Sequence, residues 1–253
     1  FCVLTDNNWE NIHPVAHFSI GIQGINSPVI RENTIMGGND KSGGIGVWLA
    51  SNAVIEGNHI ENGAQGMDLH GDFMIVTNNH VTNCYMGMKA FHGARGVIIS
   101  DNIFHKPGKY GILLRPGSSS SRVDAEGPYS PVGHENVERG IIIANNIITD
   151  QGYGHESWRL WNSDPTETAP VGIKIGTGPM EINPRLMDLI IEGNIIYDRG
   201  RDGLMVDGQA VQPGPRYKWA IWFDDRWRVE NVKLANNIFH PGEKGVSNLP
   251  VDP

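Results

Sequence analysis

GMDLHGDFMIVTNN, residues 66–79, reads as a short strand, a bend, a second short strand and a polar stop at Asn79. The same phrase recurs along the chain. With its final Asn aligned, the copies are VIRENTI from Val29, VIEGNHI from Val54, IVTNNHV from Ile75, IISDNIF from Ile98, IIANNII from Ile142, IIEGNII from Ile190 and KLANNIF from Lys233. The aligned residues Asn33, Asn58, Asn79, Asn102, Asn146, Asn194 and Asn237 are spaced 25, 21, 23, 44, 48 and 43 apart. Three intervals are plain, and three carry a loop about as long as the plain interval. Short strands at a period in the low twenties cannot bury their own apolar side and must stack on their neighbours, which makes a solenoid.

Parity tells which side faces in. Three residues before each Asn stand Ile30, Ile55, Val76, Ile99, Ile143, Ile191 and Leu234; two after it stand Ile35, Ile60, Val81, Phe104, Ile148, Ile196 and Phe239. Arg31, Glu56, Thr77, Ser100, Ala144, Glu192 and Ala235 suit an outward face, so the pattern predicts the period-two alternation of a half-buried strand. The asparagines are expected to stack as an internal amide ladder. Leucine-rich repeats need an LxxLxL consensus that is missing here. From about Val15 to Gly245 the pattern resembles the pectin-lyase-like superfamily. That resemblance implies an all-β fold, a single-stranded right-handed parallel β-helix solenoid with long loops in the C-terminal half. Lyases, hydrolases, epimerases and phage adhesins all use this fold, so it leaves the activity open.

A continuous repeat makes residues 1–253 one elongated domain, with 1–20 an irregular terminal coil. Trp9 and Phe18 are candidates to protect the open end, whose strand edges would otherwise be unpaired. No apolar run is long enough for a membrane span. The net charge of -8 argues against a nucleic-acid partner, which needs a basic stripe. Cys2 and Cys84 fall at different positions in their coils, so two buried thiols are expected rather than a disulfide.

Three polar insertions are predicted, at 116–138, 149–171 and 208–231. Loops that long in a compact protein usually carry function. Trp158, Trp161, Trp219, Trp222 and Trp227 lie in the last two. They are expected to wall a groove, with Trp158, Trp219 and Trp222 as candidates to stack on sugar rings, or to form a satellite core under the loops.

A second repeated strand begins at a glycine: GIQGI from Gly21, GVWLA from Gly46, GMDLH from Gly66, GMKAF from Gly87, GILLR from Gly111, GIKIG from Gly172 and GLMVD from Gly203. Alternation sends the second and fourth positions outward, where they bring Trp48, Asp68, His70, Lys89, Arg115, Lys174 and Asp207 onto one face. Outward charges often serve solubility alone. Here the ionisable groups concentrate on one strand beside the inserted loops. Cations can neutralise a uronate carboxylate while a base takes the C5 proton and an acid protonates the leaving oxygen or the opposite face. Lys89, Arg115 and Lys174 suit the first task, His70 the proton transfers, and Asp68 the orientation of His70. Asp68 and Asp72 leave room for calcium but are too few to require it.

Asp68-Leu69-His70 resembles the Asp-Pro-His core of mannuronan C5-epimerases, although Gln65 stands where their Tyr does. KAFHGAR from Lys89, with His92 and Gly93, is similar to the arginine-histidine-glycine segment of chondroitinase B and related alginate lyases, but their arginine falls on Phe91. The first resemblance implies roles for Asp68 and His70 and the second for His92, the lyases' lysine is not matched, and neither transfers whole; Lys89 and Arg115 are read as catalytic, with Asp68 and His70, from the row of ionisable groups itself. Lys174, Asp207, His92 and Trp48 are read as substrate contacts. His59 and His80 share an outward column and suit stacking better than metal binding. His155 and Glu156 are placed to reach the groove from their loop.

The sequence therefore points to an extracellular or periplasmic enzyme that cleaves an anionic polysaccharide by β-elimination and needs no cofactor. Hydrolysis by Asp68 and Asp207, C5-epimerisation, and glycan binding or adhesion without catalysis are the alternatives.

Overall fold

The computed structural model describes residues 18–36, 43–91, 93–115, 137–154, 170–176, 186–199, 205–206, 209–210, 214–223 and 229–250. These residues wind through three parallel sheets and contain no α-helix. The front sheet has eight strands in spatial order: Phe18–Gln23, Gly43–Ser51, Gln65–Asp72, Met86–Phe91, Tyr110–Arg115, Val171–Ile175, Trp219–Phe223 and Gly245–Ser247. The second sheet runs from Val29–Arg31 to Val229–Ala235, and the third from Thr34–Met36 to Ile238–Phe239.

Each coil thus has three strands, where the sequence pattern suggested two. The residue just before every ladder asparagine adopts a left-handed conformation: Glu32, Gly57, Asn78, Asp101, Asn145, Gly193 and Asn236, with φ between 56° and 66°. That bend breaks the expected alternating strand and sends its halves into different sheets. Ile30, Ile55 and Val76 therefore line the second sheet, while Ile35, Ile60 and Val81 line the third, and all are buried in one continuous core. A second left-handed corner recurs six residues before each ladder asparagine, at Ser27, Asn52, Phe73, Gly96, Gly140, Asp188 and Asn231. Most of these residues are Asn, Asp or Gly, which tolerate positive φ at low cost.

The ladder forms as expected. Nδ2 of Asn33 donates to Oδ1 of Asn58 at 2.9 Å, and the same bond runs through Asn79, Asn102, Asn146, Asn194 and Asn237 at 2.9–3.0 Å. Each Oδ1 along that run also accepts the backbone N–H of the preceding ladder residue. From Asn58 onward, Nδ2 also reaches back to a carbonyl of the previous coil, such as Ile30 O from Asn58. One amide therefore ties three successive coils and pairs backbone groups that the corner would leave buried without partners.

The insertions are shorter than the sequence suggested. Glu138 already begins a strand, Thr149 ends one, and Val171 begins another. The stretch 208–231 holds the front-sheet strand Trp219–Phe223 and the start of Val229–Ala235. The segment from Gly203 does not join the front sheet, because Met205–Val206 pairs antiparallel with Gln209–Ala210. Cys84 is buried as a free thiol, and burial pushes its pKa up to about 12. Phe18 turns to the outer face of the front sheet, where its ring meets Trp48 at 5.1 Å. Cys2, Asn8 and Trp9 lie outside the described residues.

Replacing Asn102 by Ala removes the acceptor for the Asn79 amide groups and the donor to Val76 O and Asn146 Oδ1. Each buried group left unpaired costs about 1–3 kcal/mol, so urea unfolding of Asn102→Ala is expected to show a loss of roughly 3–5 kcal/mol. Thr77→Val, which removes only a half-buried hydroxyl contact with Ser100, is expected to lose under about 1 kcal/mol.

Candidate functional site

The cluster is built on the outer face of the front sheet. Its backbone register sets Asp68 beside Lys89, Lys89 beside Leu113, Leu113 beside Lys174 and Lys174 beside Trp222. The next outward column sets Gln23 beside Trp48 and Trp48 beside His70, and one coil further on Phe91 lies beside Arg115. Asp68, His70, Lys89 and Arg115 thus share one face over three adjacent coils. Neighbouring strands lie about 4.8 Å apart, so the group spans roughly 10 Å.

Three sequence alignments needed correction. In the first coil Gly21 pairs with Gly46 and falls in the column of Asp68, where Gln23 was expected. The strand Gly43–Ser51 pairs so that Gly46, rather than Trp48, lies beside Asp68. The heading glycine of that coil is therefore Gly44, which would overlap Ile60 and the Gly66 carbonyl if it carried a side chain. In the seventh strand Trp222 holds the column that Met205 was expected to fill. Asp207 lies outside the described residues, and so do His92, Trp158, His155 and Glu156.

Outward-facing does not mean open here. The side chains of Lys89 and Asp68 are only 14% and 11% exposed, and they form an ion pair at 2.9 Å from Nζ to Oδ2. Asp68 Oδ1 and Gln65 Oε1 are buried and have no hydrogen-bond partner among the described residues. His70 is buried, and its ring meets the Trp48 indole edge-on at 6.3 Å. Asp72 does not join Asp68 around a cation; its carboxylate takes two hydrogen bonds of 3.0 Å from Arg95. No group of three metal-ligating side chains occurs among the described residues.

Beyond Arg115 the face changes character. Tyr85, Met86, Tyr110, Leu113 and Val171 form a buried apolar cluster, and Trp219 and Trp222 pack against it. This is the satellite core that the sequence offered as an alternative to a groove wall. Lys174 lies within it at 1% exposure, its ammonium 4.6 Å from the Trp222 ring and 5.3 Å from Tyr110. That position fits a cation–π contact inside the cluster, so Lys174 is not on the solvent face. The expected track of sugar contacts along the whole sheet shortens to the coils of Asp68, Lys89 and Arg115.

His59 and His80 lie side by side as expected, but their rings meet edge to face rather than stacked, at 5.0 Å. Burial and the neighbouring His59 lower the pKa of His80. Two polar features escaped the sequence reading. One is a corner cluster in which Arg199 grips the buried Asp150 at 2.6 Å while His105 bonds Thr149 at 2.8 Å. The other is Glu138, fully buried, whose carboxyl oxygens have no partner within ordinary hydrogen-bond geometry among the described residues. Its register places it beside Leu186 and one coil from Ala94, both core residues. Burial pushes its pKa well above the usual 4.5, and the nearby Arg115 backbone N–H offsets only part of that. A signal existed: eight residues before the ladder asparagines stand Ala50, Gly71, Ala94, Glu138, Leu186 and Val229, and only one is charged.

A family model described as "Right handed beta helix region" matches residues 2–126, in keeping with the all-β right-handed parallel solenoid. No curated protein matches the sequence. Among solved structures, the alginate lyase from Paenibacillus sp. str. FPU-7 gives a TM-score of 0.45 at 13% identity over 91% of this chain and 74% of that one. A mutant tailspike protein of E. coli bacteriophage HK620 gives 0.46 at 13% identity over 85% and 39%. The Agl-KA catalytic domain gives 0.44 at 14% identity over 89% and 43%. The chain spans less than half the length of the last two, and at these identities the likeness is one of fold.

Because the folded state holds the Glu138 proton more tightly than the unfolded chain does, the two states differ in proton binding above about pH 4.5. Below that value both are protonated and the carboxyl carries no linkage penalty. As the pH rises toward the raised folded value, stability falls. Glu138→Gln, neutral at every pH, is expected to flatten this decline, as read from urea midpoints measured between about pH 4 and 8. An unchanged slope would show that the carboxyl ionises in place.

Proposed function

We propose that this chain is a carbohydrate-active enzyme that binds an acidic polysaccharide at Asp68, His70, Lys89 and Arg115 and cleaves it by β-elimination. One observation carries the reading: two cations, an imidazole and a carboxylate with one free oxygen share a single sheet face over three coils. Of the other outward positions, Gly46, Trp48, Leu113 and Trp222 carry no charge and Gln23 is neutral, so charge is gathered on this face rather than spread evenly over it.

In this scheme Lys89 and Arg115 hold the uronate carboxylate, and their charge stabilises the carbanion that forms when the C5 proton leaves. The His70 imidazole takes that proton. The C5 electron pair forms the C4–C5 double bond as the C4–oxygen bond breaks, and the imidazolium returns its proton to the departing oxygen. Lys89 acts as a fixed cation rather than as the base, because its Nζ is held 2.9 Å from the Asp68 carboxylate. Calcium and other cofactors have no part in these steps. A polysaccharide of this kind would be met outside the cell or in the periplasm.

Hydrolysis by Asp68 and Asp207 gains no support, since the segment flanking Asp207 leaves the front sheet for a hairpin. Glycan binding without chemistry is the second reading, and the 3% exposure of His70 favours it.

Elimination leaves an unsaturated uronate that absorbs in the ultraviolet, whereas hydrolysis does not. Incubating the protein with uronate polymers is expected to raise that absorbance. His70→Gln is expected to lower the rate by about 10²–10⁴ with the fold retained by circular dichroism. Lys89→Met is expected to weaken catalysis by a similar factor. Reducing ends without ultraviolet absorbance would establish hydrolysis instead. Retained binding with no product from any polymer would establish the binding module.

A further inference from the structure

The outer face of the front sheet is divided by charge at the Asp68–Lys89 pair. On the N-terminal side, the strands Phe18–Gln23, Gly43–Ser51 and Gln65–Asp72 carry no lysine or arginine. Lys89, Arg115 and Lys174 all lie on the strands that follow. What the first three strands offer instead is an aromatic surface, the Phe18 and Trp48 rings meeting edge to face at 5.1 Å, and acceptor oxygens.

The surface is made by leaving side chains out. A Cβ on Gly46 would lie 2.5 Å from the Trp48 ring and 2.8 Å from Phe18, and one on Gly43 would overlap Phe18 outright. The Trp48 indole lies across the Gly46 backbone, in the position a side chain beside Asp68 would otherwise take. Next to it, Asp68 Oδ1 and Gln65 Oε1 are buried acceptors with no donor among the described residues. An indole face receives the C–H face of a sugar ring, and unpaired acceptors take its hydroxyls. A carboxylate with no cation on its own side repels a second uronate.

We infer that the Trp48, Gln65 and Asp68 side of the site takes a neutral sugar next to the uronate held by Lys89 and Arg115. The preferred substrate is then a heteropolysaccharide alternating neutral and acidic units rather than a homopolyuronate. This rests on the reading of the cluster as a uronate site, and it deepens that reading by naming the polymer class.

The test measures binding of equal-length oligosaccharides to the full chain by calorimetry. Hyaluronan, heparosan and unsulfated chondroitin supply alternating polymers; oligogalacturonate, oligomannuronate and oligoguluronate supply the homopolymers. The best alternating ligand is expected to bind about tenfold more tightly than the best homopolymer, a difference of about 1.4 kcal/mol. Trp48→Ala is expected to abolish the difference by weakening only the alternating ligand. Gly46→Ala keeps the indole but displaces it, and is expected to shrink the same ratio. Equal or tighter homopolymer binding, or a ratio unchanged in both variants, overturns the inference while leaving the uronate site standing. A preference that survives without any catalysis overturns elimination and leaves this inference intact. No binding by any of the six overturns both.

Discussion

The structure depends on a side-chain amide that does backbone work. At the corner between the second and third sheets the chain reverses through a left-handed residue, and the backbone groups there cannot all pair along their own strands. The stacked asparagines supply the missing partners: each Nδ2 bonds the neighbouring Oδ1, and Nδ2 also reaches a carbonyl one coil back. Because the bonds run from coil to coil, the ladder fixes stacking register as well as stability. That register brings Asp68 and Lys89, 21 residues apart in sequence, within 2.9 Å of each other. A slip by one residue would turn the columns over and dissolve the cluster.

The ladder and the buried columns were legible in the sequence because they depend on residue type at a fixed offset from one Asn. The front-sheet register was less so, because glycine is ambiguous. Gly43, Gly44 and Gly46 all stand near the strand start, and Gly46 resembles the heads of other coils. Counting back from the ladder does not resolve it: Gly66 precedes Asn79 by 13, Gly87 precedes Asn102 by 15 and Gly44 precedes Asn58 by 14, but Gly21 precedes Asn33 by 12, as Gly46 precedes Asn58. The segment from Gly203 failed for another reason. Its local pattern fits a strand, but pairing with a distant coil depends on how the loop around it closes, and no local pattern reports that. The left-handed corners were written in the sequence as Asn, Asp or Gly before every ladder residue except Asn33, which Glu32 precedes. Their meaning becomes plain only once the core residues on either side prove to belong to different sheets.

The front sheet uses its outer face in three ways along its length. Glycines and aromatic rings open it, a polar cluster follows, and an apolar cluster closes it around Lys174. The last part explains why a lysine can be almost fully buried. Aromatic faces stabilise an ammonium where water is excluded, and the Lys174 side chain packs within the cluster. Glu138 beneath Arg115 shows a different economy: a carboxyl in the core is tolerated as the neutral acid, at the expense of stability as the pH rises. Such features persist where the surrounding fold has stability to spare, and a solenoid in which each coil buries its neighbours supplies it.

The ion pair at the centre bears on how the cluster would act. A bare lysine facing an acidic polymer would bind ground state and transition state about equally, which lowers the substrate concentration needed without speeding the chemistry. Lys89 already shares its charge with Asp68, so its hold on an incoming carboxylate is weakened at first. As the C5 proton leaves, negative charge builds on the substrate carboxylate, and the attraction of Lys89 and Arg115 grows with it. In the elimination proposed above, Asp68 would thereby move binding free energy from the ground state toward the transition state, and its second oxygen would be left to orient a neighbouring hydroxyl. On that scheme, a carboxylate paired with the very cation that would neutralise the substrate is compatible with the chemistry rather than a defect in the site.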